Sequence, residues 1–384
     1  MMKNLNIWTA LSGFFPGKHN LPACKWAVLF GNLVLALAVP AASAAWLSDG
    51  SDGAFNPTGN VTLDLPEDGI FNFTSINIPS NVTVKFRKNN LDTPVYLLAT
   101  GAVNVSGVID ISAGGVSLTD LSSALGYIRP ATTSVSGPGG GTGGLAGLDS
   151  SAYATAGTGL SPGQPGPNTS NPTKGLGIAG GAGGMATAGL TATLYGTGVG
   201  GSPAIPYPIP LTGGSGGGGG GGGTNARVPL SGGAGGGGGG ALLVATPDDI
   251  TISGSLLAMG GNGGWAMANI FSHGGPGGGG SGGNIALIGD SVTLRVSTLV
   301  EATGGFGGGL STQTYPNDPR GFENGARGGT GYLYVQGNQI SLQGTLNAQV
   351  VAVPEPETWA MLLVGLGLLT KKIRKEKQSE QVPD

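Results

Sequence analysis

Ile250-Thr251-Ile252-Ser253-Gly254-Ser255-Leu256-Leu257-Ala258 decides the fold. Apolar residues stand at 250, 252, 256 and 258, every second position, with a glycine at the centre. Strict alternation is the signature of a strand with one buried and one solvated face, and a mid-strand glycine permits a bend or a close backbone approach. The block recurs. Val103, Val105, Gly107, Ile109 and Ile111 repeat it upstream, and Ile340, Leu342, Gly344, Leu346 and Ala348 repeat it downstream. A fourth copy, Val292, Leu294, Val296, Thr298 and Val300, lacks the glycine.

Seven or eight residues before each copy lies a second short apolar run: 95–99, 242–245, 285–288 and 333–335. A unit of strand, turn, strand, glycine, strand cannot bury its apolar face alone, but stacked units can. The expected fold is therefore all-β: a glycine-rich, right-handed parallel β-helix-like solenoid. An antiparallel β-sandwich would show similar alternation and is the alternative. Ahead of the first copy, 61–65, 71–78 and 82–86 alternate in the same way and read as the first coils of the same body. Phe71, Phe73, Ile76 and Ile78 pack inward there, and Asn72, Thr74 and Asn77 face out.

The composition fits no ordinary globular core. Of 384 residues 80 are glycine and only 10% are charged, against roughly 7% and about 25% in average proteins. Long runs such as 216–223 and 235–240 are pure glycine. The glycines do not keep one every-third-residue register with flanking prolines through the chain, which excludes collagen. The largest interruption, 112–240, is rich in Gly, Ser, Thr and Pro. Three states are open to it: a flexible linker, glycines docked on the sheet, or polyglycine helices packed side by side. The resulting division is 1–44 signal peptide, 45–111 first β coils, 112–240 low-complexity insertion, 241–350 solenoid repeats with Gly-rich loops, 351–375 sorting signal and 376–384 polar tail.

Both ends carry targeting features. Lys18 and Lys25 precede an apolar run from Trp26 to Val39, and Ala42-Ser43-Ala44 forms an A-x-A site ahead of Ala45. That is a secretory signal cleaved before Ala45, which implies the Sec translocon and a signal peptidase as partners. The single cysteine, Cys24, falls within it, so the exported chain has no disulfide and no thiolate metal site. At the other end Val353-Pro354-Glu355-Pro356-Glu357 is followed by an apolar stretch, with Trp359, Leu362, Leu363, Leu366, Leu368 and Leu369, and then by Lys371, Lys372, Arg374 and Lys375. The prolines hold an extended backbone. The apolar stretch partitions into lipid as a short transmembrane helix, and the basic cluster stops it on the cytoplasmic side. The uncharged run 358–370 spans about 20 Å as a helix, shorter than a full bilayer crossing.

This three-part tail resembles the PEP-CTERM sorting signal, also labelled the ice-binding protein C-terminal motif. The resemblance covers about the last thirty residues. It implies cleavage near Pro-Glu-Pro by an exosortase, a transient stay in the inner membrane, and delivery to the cell surface or a biofilm matrix.

The middle offers little chemistry. Between Ala45 and Val353 there are 9 Lys and Arg against 15 Asp and Glu, a net of −6, which argues against nucleic acid as a partner. Gly260-Gly261-Asn262-Gly263-Gly264-Trp265 begins like a calcium nonapeptide but supplies no Asp, and 304–307 fails in the same way. No Gly-Lys-Ser/Thr phosphate loop occurs, since Lys174 precedes Gly175-Leu176. No cofactor or metal is expected. Beyond the signal the one histidine is His273, flanked by glycines. The carboxylates worth testing as polysaccharide lyase or glycosidase groups are Asp248 with Asp249, and Asp318 with Arg320 and Glu323. Pro247-Asp248-Asp249 also reads as a turn, and 315–319 as a loop between coils. Thr251, Thr293 and Ser341 align across copies only singly, too sparse for an ice lattice, and Asn60, Asn72 and Asn81 read as strand-end residues. The reading is a non-enzymatic structural or adhesive surface protein that meets exopolysaccharide. A polysaccharide-active enzyme and an ice- or carbohydrate-binding module are the alternatives.

Overall fold

The computed structural model describes residues 48–114, 134–148, 153–168, 178–192, 198–204, 211–225, 228–266, 273–309 and 325–354. All belong to one compact unit, Trp46–Asp384. Among them the protein is all-β, and nearly all ladders are parallel.

Each repeat forms one coil of three short strands. The second full coil runs β5 (Val95–Ala99), β6 (Val103–Val105) and β7 (Val108–Asp110). The next is β10 (Ala241–Ala245), β11 (Ile250–Ile252) and β12 (Ser255–Leu257). Then come β13 (Asn284–Ile288), β14 (Ser291–Leu294) and β15 (Leu299–Glu301), followed by β16 (Tyr332–Gly337), β17 (Gln339–Leu342) and β18 (Thr345–Asn347). The stack closes with β19 (Gln349–Pro354), half a coil laid on β16. It begins with β1 (Gly53–Phe55), β2 (Val61–Asp64), β3 (Ile70–Ile78) and β4 (Thr83–Arg87), where the long β3 pairs with both β5 and β6.

Like strands stack on like. One sheet has the order β17-β14-β11-β6-β3-β5-β10-β13-β16-β19, with β1 on β3, and the other has β18-β15-β12-β7-β4-β2. The parallel ladders leave no place for the antiparallel sandwich. The antiparallel strand pair among the described residues is the small hairpin of β8 (Gly223–Asn225) and β9 (Val228–Leu230).

Alternation does what it predicts. Ile250, Ile252 and Leu256 are fully buried and stack on Val103, Val105 and Ile109 below and on Val292, Leu294 and Val300 above. Burying such a side chain is worth roughly 1.5–3 kcal/mol, and these inward columns form one continuous core. Phe55, Phe71, Phe73 and Phe86 pack at its first end, with Phe55 and Phe73 stacked at 4.9 Å.

The fourth copy departs from its predicted alignment. Strand β14 ends at Leu294, a turn covers 295–298, and Val300 pairs with Leu256 rather than standing opposite Ala258. Val296 is 77% exposed at the turn instead of facing the core. Two extra residues replace the tight glycine corner, and the Thr298 hydroxyl anchors the longer turn by donating to Ile252 O at 2.7 Å. A strict period-2 count across this turn therefore misassigns its residues.

The glycine tracts form a second layer built from the third side of each coil. The chain leaves the solenoid after β7, β12 and β15 and returns at β10, β13 and β16. Its hydrogen bonds there have a period of three. Gly214, Gly217 and Gly220 donate to the carbonyls of Gly239, Gly236 and Gly233, and Gly233, Gly236 and Gly239 donate to Gly275, Gly278 and Ser281. A neighbour met at every third residue means a three-fold, 3.1 Å-rise extended helix of the polyproline II type, which has no internal hydrogen bonds. Its backbone must be satisfied sideways.

Segment 213–222 shows how completely this happens. It bonds to 141–147, 155–158, 163–166, 178–181, 233–239 and 275–281, six neighbours around one axis. Of the three states open to the insertion, its described parts take the packed-helix one. The same bundle also includes 258–266 with 274–283, and 302–309 with 325–331, so the loops between repeats belong to it as well. Glycine is required because the helices touch backbone to backbone. A Cβ on Gly220 would lie 1.8 Å from Gly275 O.

No helix among the described residues is long and apolar enough to cross a membrane. The predicted transmembrane stretch, Trp359, Leu362, Leu363, Leu366, Leu368 and Leu369, lies outside the described residues, as do the basic stop and the signal.

Candidate functional site

The sorting junction is the best-placed feature of the tail. Strand β19 runs parallel to β16 with Val351 opposite Tyr334, Val353 opposite Gln336 and Pro354 opposite Gly337. Proline has no N–H to donate, so it is tolerated on an edge strand at the end of a ladder. The first residues of the predicted motif, Val353 and Pro354, are thus part of the last half coil. Glu355 and Pro356, and the cleavage residues Ala42, Ala44 and Ala45, lie outside the described residues.

Three surfaces could meet a partner. The first is a polar ladder on the outer side of the larger sheet, where Asn77, Asn104, Thr251, Thr293 and Ser341 stand in successive register. Strand spacing of about 4.8 Å sets their interval. Asn56 extends the ladder, accepting from Asn77 Nδ2 at 2.9 Å. Register brings these residues together from five separate parts of the sequence.

The second is the outer side of the smaller sheet. A depression of about 500 Å3 there is lined by Thr62, Lys85, Asp110 and Leu257 among others. Lys85 Nζ lies 3.1 Å from Asp110. One coil beyond Leu257, Glu301 accepts from Thr303 Oγ1 and Asn347 Nδ2, both at 2.7 Å. These carboxylates are tied to neighbours, and among the described residues lining the depression Asp110 is the one carboxylate.

The third surface was not foreseen. The sequence Met259-Gly-Gly-Asn262-Gly-Gly-Trp265 turns every third residue to the same side of its helix, and Thr303-Gly-Gly-Phe306 does so on the adjacent helix. Phe306 N donates to Asn262 Oδ1 at 2.9 Å. The Arg327 guanidinium sits 4.7 Å from the Phe306 ring centre, within cation–π range. Trp265 is 37% exposed and Phe306 62%, and the Trp265 ring lies over Gly309. An exposed band of apolar rings, an amide and a guanidinium results. The x-Gly-Gly spacing that signals it is short and local, so a search for a chain-long glycine period passes over it.

Among the described residues, the candidate catalytic groups are engaged in local turns. Asp248 Oδ1 accepts from Asp249 N at 2.8 Å, and Asp248 N donates to Thr246 Oγ1, so this pair caps the turn that opens β11. His273 Nδ1 lies 3.0 Å from Gly274 O, and among the described residues no group of three His, Cys, Asp or Glu gathers to hold a metal. Asp318, Arg320 and Glu323 lie outside the described residues. Asn60 Oδ1 accepts from Thr83 N at 2.8 Å, a strand-end contact as its sequence position suggests. Burial pushes the Tyr96 and Tyr332 phenols up from their ordinary pKa, and hydrogen bonds from the Ser51 side chain and backbone hold Asp49 below its own.

No curated protein and no solved structure matches the chain. Residues 352–375 match the PEP-CTERM protein-sorting motif, and the first three of them are the end of β19. The motif implies an exported protein that an exosortase processes and sorts to the cell surface.

Proposed function

We propose that the exported chain is a non-enzymatic adhesive or structural component of the cell surface or exopolysaccharide matrix. In this reading the Sec translocon and a signal peptidase release it at Ala45. The tail holds it transiently in the inner membrane until the exosortase cuts near Pro354–Glu357. The solenoid is taken as right-handed, the hand that parallel crossovers adopt almost without exception.

The observation that carries the adhesive role is the band of Met259, Asn262, Trp265, Phe306 and Arg327 on the polyglycine bundle. Exposed rings offer apolar faces to the C–H faces of sugars, and the amide and guanidinium offer donors to hydroxyls and carboxylates. Helices held by lateral hydrogen bonds present these groups from an ordered backbone, which leaves chiefly side-chain ordering to be met at binding. The polar ladder from Asn77 to Ser341 provides a second hydrogen-bonding face.

The test is retention on a column of exopolysaccharide from the producing cells. Retention lost on Trp265→Ala with Phe306→Ala, and kept on Asp249→Ala, supports the reading. Release of new reducing or unsaturated ends from the polysaccharide overturns it in favour of an enzyme.

A further inference from the structure

Among the described residues, no strand covers the last coil of the stack. Leu333 and Val335 on β16 are fully buried, yet their partners on β19 are not: Val350 is half-buried and Ala352 exposed. Val292, Leu294 and Val300 are fully buried, while Ile340, Leu342 and Leu346, which stack on them, are half-buried. Among the described residues, the outer edges of β17, β18 and β19 have no further strand in either sheet order.

Such an edge is ordinarily defended by charge, a bulge or a covering segment. Here charge is absent: residues 332–354 contain no Asp, Glu, Lys or Arg. The opposite end differs. Residues 46–82 hold Asp49, Asp52, Asp64, Glu67 and Asp68 beside the stacked phenylalanines; Asp64 is paired with Arg87 of β4, and the other four have no ion-pair partner among the described residues. One end of the stack is thus acidic and the other neutral and apolar.

We propose that the last coil is a self-association surface, on which two copies of the exported protein meet tail to tail about a two-fold axis. The two-fold reverses strand direction, so the edges of β17, β18 and β19 pair antiparallel with those of the second copy. The half-exposed Ile340, Leu342, Leu346 and Val350 are then covered as their counterparts one coil below are. The charge distribution selects this arrangement. Head-to-head contact sets the four carboxylates without an ion-pair partner, Asp49, Asp52, Glu67 and Asp68, against the same four. Head-to-tail contact desolvates the same carboxylates against an end with no cation to pair them. Because the sorting signal starts at the end of β19, removing it leaves this edge without an attached membrane segment, and pairing follows processing.

The test uses the protein recovered from the surface of producing cells, with Cys24→Ser and a single cysteine placed in turn at Ser341→Cys, Thr345→Cys or Gln349→Cys, one on each side of the coil. Light scattering at about 100 μM is expected to give twice the chain mass. Mild oxidation is expected to give a covalent dimer at one or more of the three positions and none with Asp64→Cys at the far end. The variant S341K/T345K/Q349K is expected to run as a monomer whose melt stays cooperative and does not depend on protein concentration. A monomer without the lysines, an open series of concentration-dependent oligomers, or a lysine variant that stays dimeric each overturns the proposal. Mass and crosslinking are read without glycan, so failure here is separate from failure of the adhesive reading.

Discussion

A Cβ added to Gly235 would stand 2.0 Å from the carbonyl oxygen of Gly217 on the neighbouring polyglycine helix. That gap is well inside van der Waals contact, and it repeats through the bundle: Gly219 against Leu145 O at 1.9 Å, Gly220 against Gly275 O at 1.8 Å. Backbone packed directly on backbone leaves no room for a side chain, so composition and architecture are one constraint here.

Gly220→Ala and Gly235→Ala are each expected to destabilise the protein by about 2–4 kcal/mol, since helices must part and lateral hydrogen bonds stretch. Gly59→Ala, where nothing lies within 4 Å of an added Cβ, is expected to change stability by less than about 0.5 kcal/mol. Denaturant melts of the three variants provide the check.

In the solenoid core, Leu256→Ala is expected to cost about 2–5 kcal/mol. Leu256 is fully buried between Ile109 and Val300, and the cavity would interrupt the inward column across two ladders. Thr298→Val is expected to cost about 1 kcal/mol, because the bond to Ile252 O that secures the longer turn is lost.

The tail makes a prediction about processing. Pro354→Ala with Pro356→Ala is expected to keep the chain in the inner-membrane fraction with its full C-terminus, while the unaltered chain appears outside with a terminus near Pro354–Glu357. Intact-mass analysis of both fractions distinguishes the two. Because Pro354 is the last residue of β19, the released chain is expected to end within a few residues of the folded edge.

Alkaline pH is expected to weaken the fold. Burial raises the Tyr96 and Tyr332 phenols, so their protons are held more tightly in the folded state than in the unfolded chain. Their contribution is fully present below the unfolded value near 10 and is lost as pH rises through the folded values. Tyr332 Oη also donates to Ala204 O at 2.9 Å, a bond that ionisation removes. Melting temperatures measured from pH 8 to pH 12, compared with Tyr332→Phe, test this: the variant should lose less stability at the alkaline end.

Salt is expected to matter little. The described ion pairs, Lys85–Asp110, Arg87–Asp64 and Lys88–Asp92, are partly or largely exposed, where such pairs contribute about 0–1 kcal/mol. Raising sodium chloride to about 1 M should therefore shift the melt by no more than a few degrees.

The sequence by itself determined the strands. Alternation at 250–258 and its copies placed β6, β7, β11, β12, β17 and β18, because a period of two admits only one set of inward residues once one face is buried. It also determined the sorting tail, whose three parts are contiguous and need no partner from elsewhere in the chain. It failed at Val296, where two additional residues in a turn carry no periodic signal.

Tertiary structure alone decided the rest. Glycine has no side chain from which to read a face, so nothing in 213–222 says which six segments surround it; only the lateral hydrogen bonds do. The band of Met259, Asn262, Trp265, Phe306 and Arg327 likewise comes from three helices brought side by side. The open last coil has the same cause. Ile340 and Leu342 read in sequence like Ile250 and Ile252, and they differ because among the described residues no further coil lies above them to complete their burial.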